Sequence, residues 1–270
     1  MYKKLLSGPF LIWIACGTII PLGVIGYYGL TNRSGAFTIS NITAMFGAEH
    51  AEALGLSLLL AGISTIICFL LAFPLAMVLK DSKFGRQGFI IFIFVLPMWM
   101  NFLLRTMAWQ VILEKNGIIN TALQFLHLPQ LEIINTPAAI VLGMVYDFLP
   151  FMVLPIYNTI VKIDQNLIEA AYDLGASKVA VLFKILLPLS VPGIASGVTM
   201  VFVPSLTTFV ISNMLGGGKI NLIGNIIEQE FTISSNWNLG AGLSMVMMIF
   251  IIISMALLSK FDKNGEGNIL

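Results

Sequence analysis

The sequence predicts an all-α, polytopic membrane protein, with six transmembrane helices and a short amphipathic helix in a cytoplasmic loop. Of its 270 residues 58% are hydrophobic and only 10% charged, and the mean hydropathy is +0.95. The apolar residues also come in blocks about as long as a bilayer is thick, roughly 20 residues per helical crossing. A soluble domain carries roughly 25% charged residues, so that class is excluded. A transmembrane barrel is excluded too, because runs such as Phe89 to Leu96 and Met245 to Ile253 lack the period-two alternation of barrel strands. With a net charge of +1, no global field recommends nucleic acid as a partner.

The blocks fall at about 9–30, 54–79, 88–108, 137–160, 189–213 and 239–259, and the whole chain, 1–270, reads as one transmembrane domain. The first follows Lys3 and Lys4 but outruns the apolar core of a secretory signal, and no small-residue cleavage site follows it, so it reads as a retained helix. Cys16 and Cys68 lie inside the first two blocks without CxxC spacing and read as small buried hydrophobes. Prolines 74, 97, 150, 155, 188, 192 and 204 recur in or beside the blocks. Membrane helices tolerate such breaks where neighbours satisfy the freed carbonyls. Pro150, Pro155 and Pro204 read either as packing features or as bends that let two gates open alternately.

Basic residues orient the chain. With the N-terminus inside, the inner segments hold ten of them: Lys3, Lys4, Lys80, Lys83, Arg86, Lys162, Lys178, Lys184, Lys260 and Lys263. The outer segments hold three, Arg33, Lys115 and Lys219, and Arg105 lies in a span. Both termini are therefore expected in the cytoplasm. The largest inner segment is 161–188. In it Asp164 suits a helix N-cap, and Leu167, Ile168, Ala171 and Leu174 recur at helical spacing as an apolar stripe. Small Ala170 and Ala171 admit a close approach beside the charged Glu169, and Gly175 suits the left-handed residue that ends a helix. Such a helix is built to dock.

Glu169-Ala170-Ala171, then Gly175, then Ile185-x-Leu187-Pro188 form the pattern EAA-x3-G-x9-I-x-LP. This resembles the loop of permease subunits in binding-protein-dependent ABC importers. Several outer segments extend the resemblance to the spermidine/putrescine branch: Gly117-Ile118-Ile119-Asn120, Pro204 to Ile211, Met214 to Lys219, Leu222 to Phe231 and Asn236 to Gly240. The resemblance implies the type I permease fold and a bacterial cytoplasmic membrane. It also implies two ATPase subunits, a homologous second permease and an extracytoplasmic substrate-binding protein as partners, with the 161–188 loop transmitting closure of the ATPase.

The chain is not expected to be an enzyme. Gly216-Gly217-Gly218-Lys219 lacks the spacing and the hydroxyl of a nucleotide-binding loop, so ATP hydrolysis falls to a partner. No cofactor or metal is expected, since His50 and His127 stand singly in outer segments. Asp147 is the one acid inside a span, roughly 15 Å from the outer end of its helix at 1.5 Å per residue. It reads either as a transient counter-charge for an ammonium in the path or as a structural polar group, and an ion pair with Arg105, only a few residues from the outer end of its own block, is left open. Trp99 and Tyr146 are candidate path aromatics for cation–π contact, Trp109 a weaker one. Glu228 and Glu230 could receive a cation, contact the delivery protein or be solvated loop residues. Two rival functions remain: a permease for another small solute such as iron or phosphonate, and an ion-coupled secondary transporter, which would need its own coupling-ion site.

Overall fold

The structure, a computed structural model, describes residues 8–81, 96 and 98–266. Helix α1 covers residues 8–29 and α2 spans Ala48–Asp81. They are followed by α3 (Phe102–Leu113), α4 (Ile118–Phe125), α5 (Pro137–Ile160) and the short α6 (Gln165–Asp173). Helix α7 (Lys178–Leu189) turns by 66° into α8 (Val191–Thr207). The chain closes with α9 (Val210–Leu215), α10 (Ile223–Thr232) and α11 (Trp237–Glu266). Among the described residues four helices are long and apolar enough to cross a membrane, and a fifth crossing is made if the bent α7–α8 pair counts as one.

Two expected blocks differ from what is seen. Most of 88–108 lies outside the described residues, but its outer end is clear: the chain restarts a helix at Phe102 and carries it to Leu113, five residues past Ala108. The restart has a local cause, since Asn101 Oδ1 accepts the N–H of Leu103 at 2.9 Å and of Leu104 at 3.4 Å. The block at 189–213 is not one helix either. It bends at Ser190 and breaks at Thr208, whose extended backbone (ψ 137°) ends α8 before α9 begins.

Proline explains two irregular turns. A π-turn at Ala15–Ile19 lies just before Pro21, and another at Leu182–Leu186 just before Pro188. A proline ring clashes with the carbonyl four residues back, and bonding five residues back widens the turn there: the N–H of Ile20 reaches Ala15 O and that of Leu187 reaches Leu182 O. By contrast α5 runs unbroken through Pro150 and Pro155.

The core is the packing of α2, α5 and α8. Small residues let these helices close: Ala61, Cys68, Ala72 and Ala76 of α2 are fully buried, and Cys68 Sγ donates to Val145 O of α5 at 3.8 Å. On α8, Gly193 and Gly197 lie four residues apart against α5. A Cβ on Gly193 would stand 2.7 Å from Pro155 O, and one on Gly197 2.6 Å from Met152 Sδ. Helix α11 lies against α8, α10 and α1. Helix α1 packs on α11 through its outer end, where Gly29 meets Gly242 and Met245, and leaves most of its surface open, with 6% of its Ile12–Gly29 window buried.

The α5–α8 approach is a stability determinant. Gly193→Val should cost about 1–3 kcal/mol by overpacking against backbone that cannot give, read as a lowered Tm of the purified protein in detergent; an unchanged Tm would count against this contact.

Candidate functional site

Three places gather the chemistry-bearing residues: the α6 loop, a buried charge pair between α3 and α5, and a cleft at the α8–α9 break.

In the loop, Asp164 Oδ1 accepts the Asn166 N–H at 3.0 Å and caps α6. At the other end Gly175 sits at φ +82°. Its N–H reaches Tyr172 O and the Ala176 N–H reaches Ala171 O, both at 2.9 Å, the paired bonds that close a helix around a left-handed residue. Nothing lies within 4 Å of a Cβ built on Gly175, so the glycine is needed for its backbone angle rather than for space. The expected apolar stripe is split between two faces. Ile168 is buried and, with Ala171, packs on Met77, Val181 and Leu186. Leu167, at 52% exposure, and Leu174, at 89%, point away from the bundle, with Glu169 and Ala170 also exposed. One stripe anchors the helix and the other is presented. Ile185 joins the anchoring cluster and Leu187 packs on the main core, while Pro188 is exposed at the elbow. There the Ser190 hydroxyl donates to Leu186 O at 2.6 Å, satisfying a carbonyl inside the bend.

The charge pair joins the acid and the base that the sequence places inside apolar blocks: Arg105 Nε lies 2.9 Å from Asp147 Oδ1, with side-chain exposures of 7% and 1%. Thr106 Oγ1 adds a hydrogen bond to Asp147 Oδ2 at 3.3 Å. The two depths match because α3 runs on to Leu113. Arg105 is thereby about 12 Å from that end, close to the roughly 15 Å of Asp147 from Pro137. Asp147 faces the protein interior, whereas Tyr146 beside it is 40% exposed and meets Trp109 edge-to-face at 5.2 Å. Trp109 and Tyr146 line an apolar groove of about 650 Å³ between α2, α3 and α5. Trp99 lies outside that groove's lining, at 72% exposure.

The third place is a cleft of about 510 Å³ between the end of α8, α10 and α11. Thr207, Phe209, Glu228, Phe231, Thr232 and Ser244 line it beside methionines and isoleucines, and Glu228 is the one charged residue in the lining. Glu230 faces elsewhere, accepting from Ser234 Oγ at 3.3 Å. The break that opens the cleft is held by a residue to which the sequence reading assigned no role. Buried Asn225 accepts the Leu222 N–H at 3.0 Å and the Ser212 hydroxyl, and donates to Phe209 O at 3.1 Å and to Asn213 Oδ1 at 2.7 Å. Ser57 of α2 ties the start of α10 to the core by accepting the Ile223 N–H at 2.9 Å. The signal was Gly224-Asn225: Gly224 alone admits the Thr207 and Thr208 carbonyls, which would stand 2.7 and 2.8 Å from a Cβ.

A buried pair that loses one partner leaves an uncompensated charge. Arg105→Met or Asp147→Leu alone should destabilise by about 3–5 kcal/mol, whereas the double substitution should recover most of that loss. Thermal unfolding of the three variants in detergent measures this, and additive losses would show that the pair does not act as a unit.

The comparisons with known proteins agree with this geometry. The family described as "binding-protein-dependent transport system inner membrane component" matches residues 53–264. A relative in Haemophilus influenzae, the spermidine/putrescine transport system permease protein PotB, is 36% identical, covering 93% of this chain and 92% of the relative. The protein of the same name in Escherichia coli is 35% identical over 88% of this chain and 89% of its own. Among solved structures, a bacterial ABC transporter that imports the acidic polysaccharide alginate superposes with a TM-score of 0.81 at 16% identity, over 97% of this chain and 95% of that one. The methionine transporter MetNI in an inward-facing form gives a TM-score of 0.56 over 80% of this chain and 95% of that one. On the family match, the chain belongs to the inner membrane components of binding-protein-dependent transport systems: it is a multi-pass transport subunit and not an enzyme.

Proposed function

We propose that this chain is a permease subunit of a polyamine ABC importer, forming half of the translocation path beside a homologous second permease. In this reading six spans cross the membrane with both termini in the cytoplasm, two ATPase subunits act below, and an extracytoplasmic binding protein delivers spermidine or putrescine. The observation that carries the reading is the split α6: an inner stripe anchored on the bundle and an outer stripe, Leu167, Ala170 and Leu174, left for a partner, with exposed Glu169 to one side of it. The relatives named as spermidine/putrescine permeases support the substrate class.

Asp164, Ala171, Gly175, Ile185, Leu187 and Pro188 then serve coupling by holding the presented stripe rigidly to α7 and its elbow. Closure of the ATPase pushes on α6, the 66° elbow converts that push into movement of α8, and α8 ends at the cleft. The cleft suits an alkylammonium ion. The C-terminal end of α8 carries partial negative charge, Phe209 and Phe231 offer ring faces, and Glu228 offers a carboxylate among apolar walls that accept methylene chains. The same carboxylate disfavours an anion such as phosphonate. Glu230, Trp99 and Tyr146 serve in this reading at the delivery-protein side or along the apolar rim. Asp147 braces α5 on α3 through Arg105 instead of meeting substrate.

Two outcomes test the reading on the reconstituted importer. Gly175→Asp strains the left-handed turn that ends α6 and sets a carboxylate beside the presented stripe, and should cut spermidine-stimulated ATPase activity at least tenfold while leaving membrane insertion intact; full stimulation would remove α6 from coupling. Glu228→Gln should raise the half-saturating spermidine concentration in uptake about tenfold, equivalent to ~1.4 kcal/mol, and an unchanged value would take the cleft out of the path.

A further inference from the structure

Lys80, in the last turn of α2, is placed unlike the described lysines of the 161–188 loop, Lys162, Lys178 and Lys184, which are all exposed. Its Nζ is fully buried and has no hydrogen-bond partner among the described residues. It borders a cavity of about 300 Å³ closed by the inner ends of α2 and α5, by the inner face of α6 and by α7. Gln165, Ile168 and Tyr172, spaced three and four apart, are the α6 wall, and Lys178 is a second basic group in the lining. No acidic side chain of the described residues lines it.

An ammonium taken out of water without a counter-charge is among the most costly groups a protein can bury. Two ammonium groups, an amide and a phenol around one cavity are a donor set for an oxyanion. We propose that this cavity binds a phosphate group, that of an anionic phospholipid headgroup or a free phosphate, with Lys80 as its inner anchor and Lys178 at its rim. Basic pockets between membrane helices take anionic headgroups for the same reason. On α7, which supplies Lys178, Val181 and Leu186 to the lining, the apolar Val179 and Phe183 are 63% and 61% exposed, an open surface for an acyl chain. Gln165, Ile168 and Tyr172 lie on a different face of α6 from Leu167, Ala170 and Leu174, while exposed Glu169, four residues after Gln165 and three before Tyr172, borders both. An occupant there wedges the helix from behind. That effect on coupling rests on the proposed function; the binding does not.

The test is native mass spectrometry of the purified, delipidated importer in detergent, titrated with phosphatidylglycerol, phosphatidylcholine or inorganic phosphate. The expected result is a phosphatidylglycerol adduct that phosphatidylcholine does not replace, lost at least tenfold in occupancy in Lys80→Gln and kept in Lys80→Arg. Displacement of that adduct by millimolar inorganic phosphate would assign the site to free phosphate, and resistance to it would assign the lipid headgroup. Equal occupancy in wild type and Lys80→Gln overturns the proposal. So does a Lys80→Gln complex that sheds its ATPase subunits with lipid occupancy unchanged, which would give Lys80 to a protein carboxylate. Where Lys80→Gln does not assemble, Lys178→Gln, at an exposed position, decides: lowered phosphatidylglycerol occupancy supports the site and unchanged occupancy overturns it.

Discussion

Every backbone N–H and C=O at membrane depth must find a partner within the protein, because the hydrocarbon offers none. This chain departs from continuous helix at three informative points, and at each a small polar side chain settles the freed groups. Asn101 caps the restart of α3, Ser190 donates to Leu186 O inside the elbow, and Asn225 stitches Leu222, Phe209, Ser212 and Asn213 across the α8–α9 break. Each repaired break places one feature of the candidate sites. The first sets the depth of Arg105, the second joins α6 and α7 to α8, and the third opens the cleft that holds Glu228.

The bundle between those breaks is closely packed, which bears on how movement is transmitted. Glycines 193 and 197 bring α8 onto the backbone of α5, and the alanine stripe of α2 packs just as closely. Close-packed interiors transmit displacement rather than absorb it. The Arg105–Asp147 pair adds α3 to the same body, since separating it would strand a charge among apolar groups. In the proposed coupling a push on α6 therefore moves α2, α5 and α8 as one body, and the place where helical bonding is interrupted is the break at Thr208.

Much of this was legible in the sequence, and what was not has a physical cause. Block length defined α5 at Pro137–Ile160, where Thr136 caps the first turn and Pro137 occupies its first position. Asp164 and Gly175 bounded α6 nearly to the residue for the same reason. Hydropathy failed where polar bonding overrules it. Residues 189–213 read as one apolar run although Thr208 interrupts the helix, and the end of the third block was set at Ala108 although α3 continues through Trp109 and Gln110. That displacement alone left the Arg105–Asp147 pair undecided. Periodicity also could not assign Leu167 and Ile168 to opposite duties, because both are apolar neighbours on a helix with one face on the bundle and one awaiting a partner.

The scarcity of charge gives the remaining charges their meaning. An apolar bundle can hide an ionisable group only if it supplies a counter-charge, a route to water or a ligand. Asp147 and Arg105 satisfy the first condition in each other. Glu169 satisfies the second on the presented face of α6, and Glu228 does so from a half-buried position in its cleft. Lys80 Nζ satisfies neither among the described residues. The proposed oxyanion in the cavity behind α6 would supply the third, by the same economy that explains the structural pair.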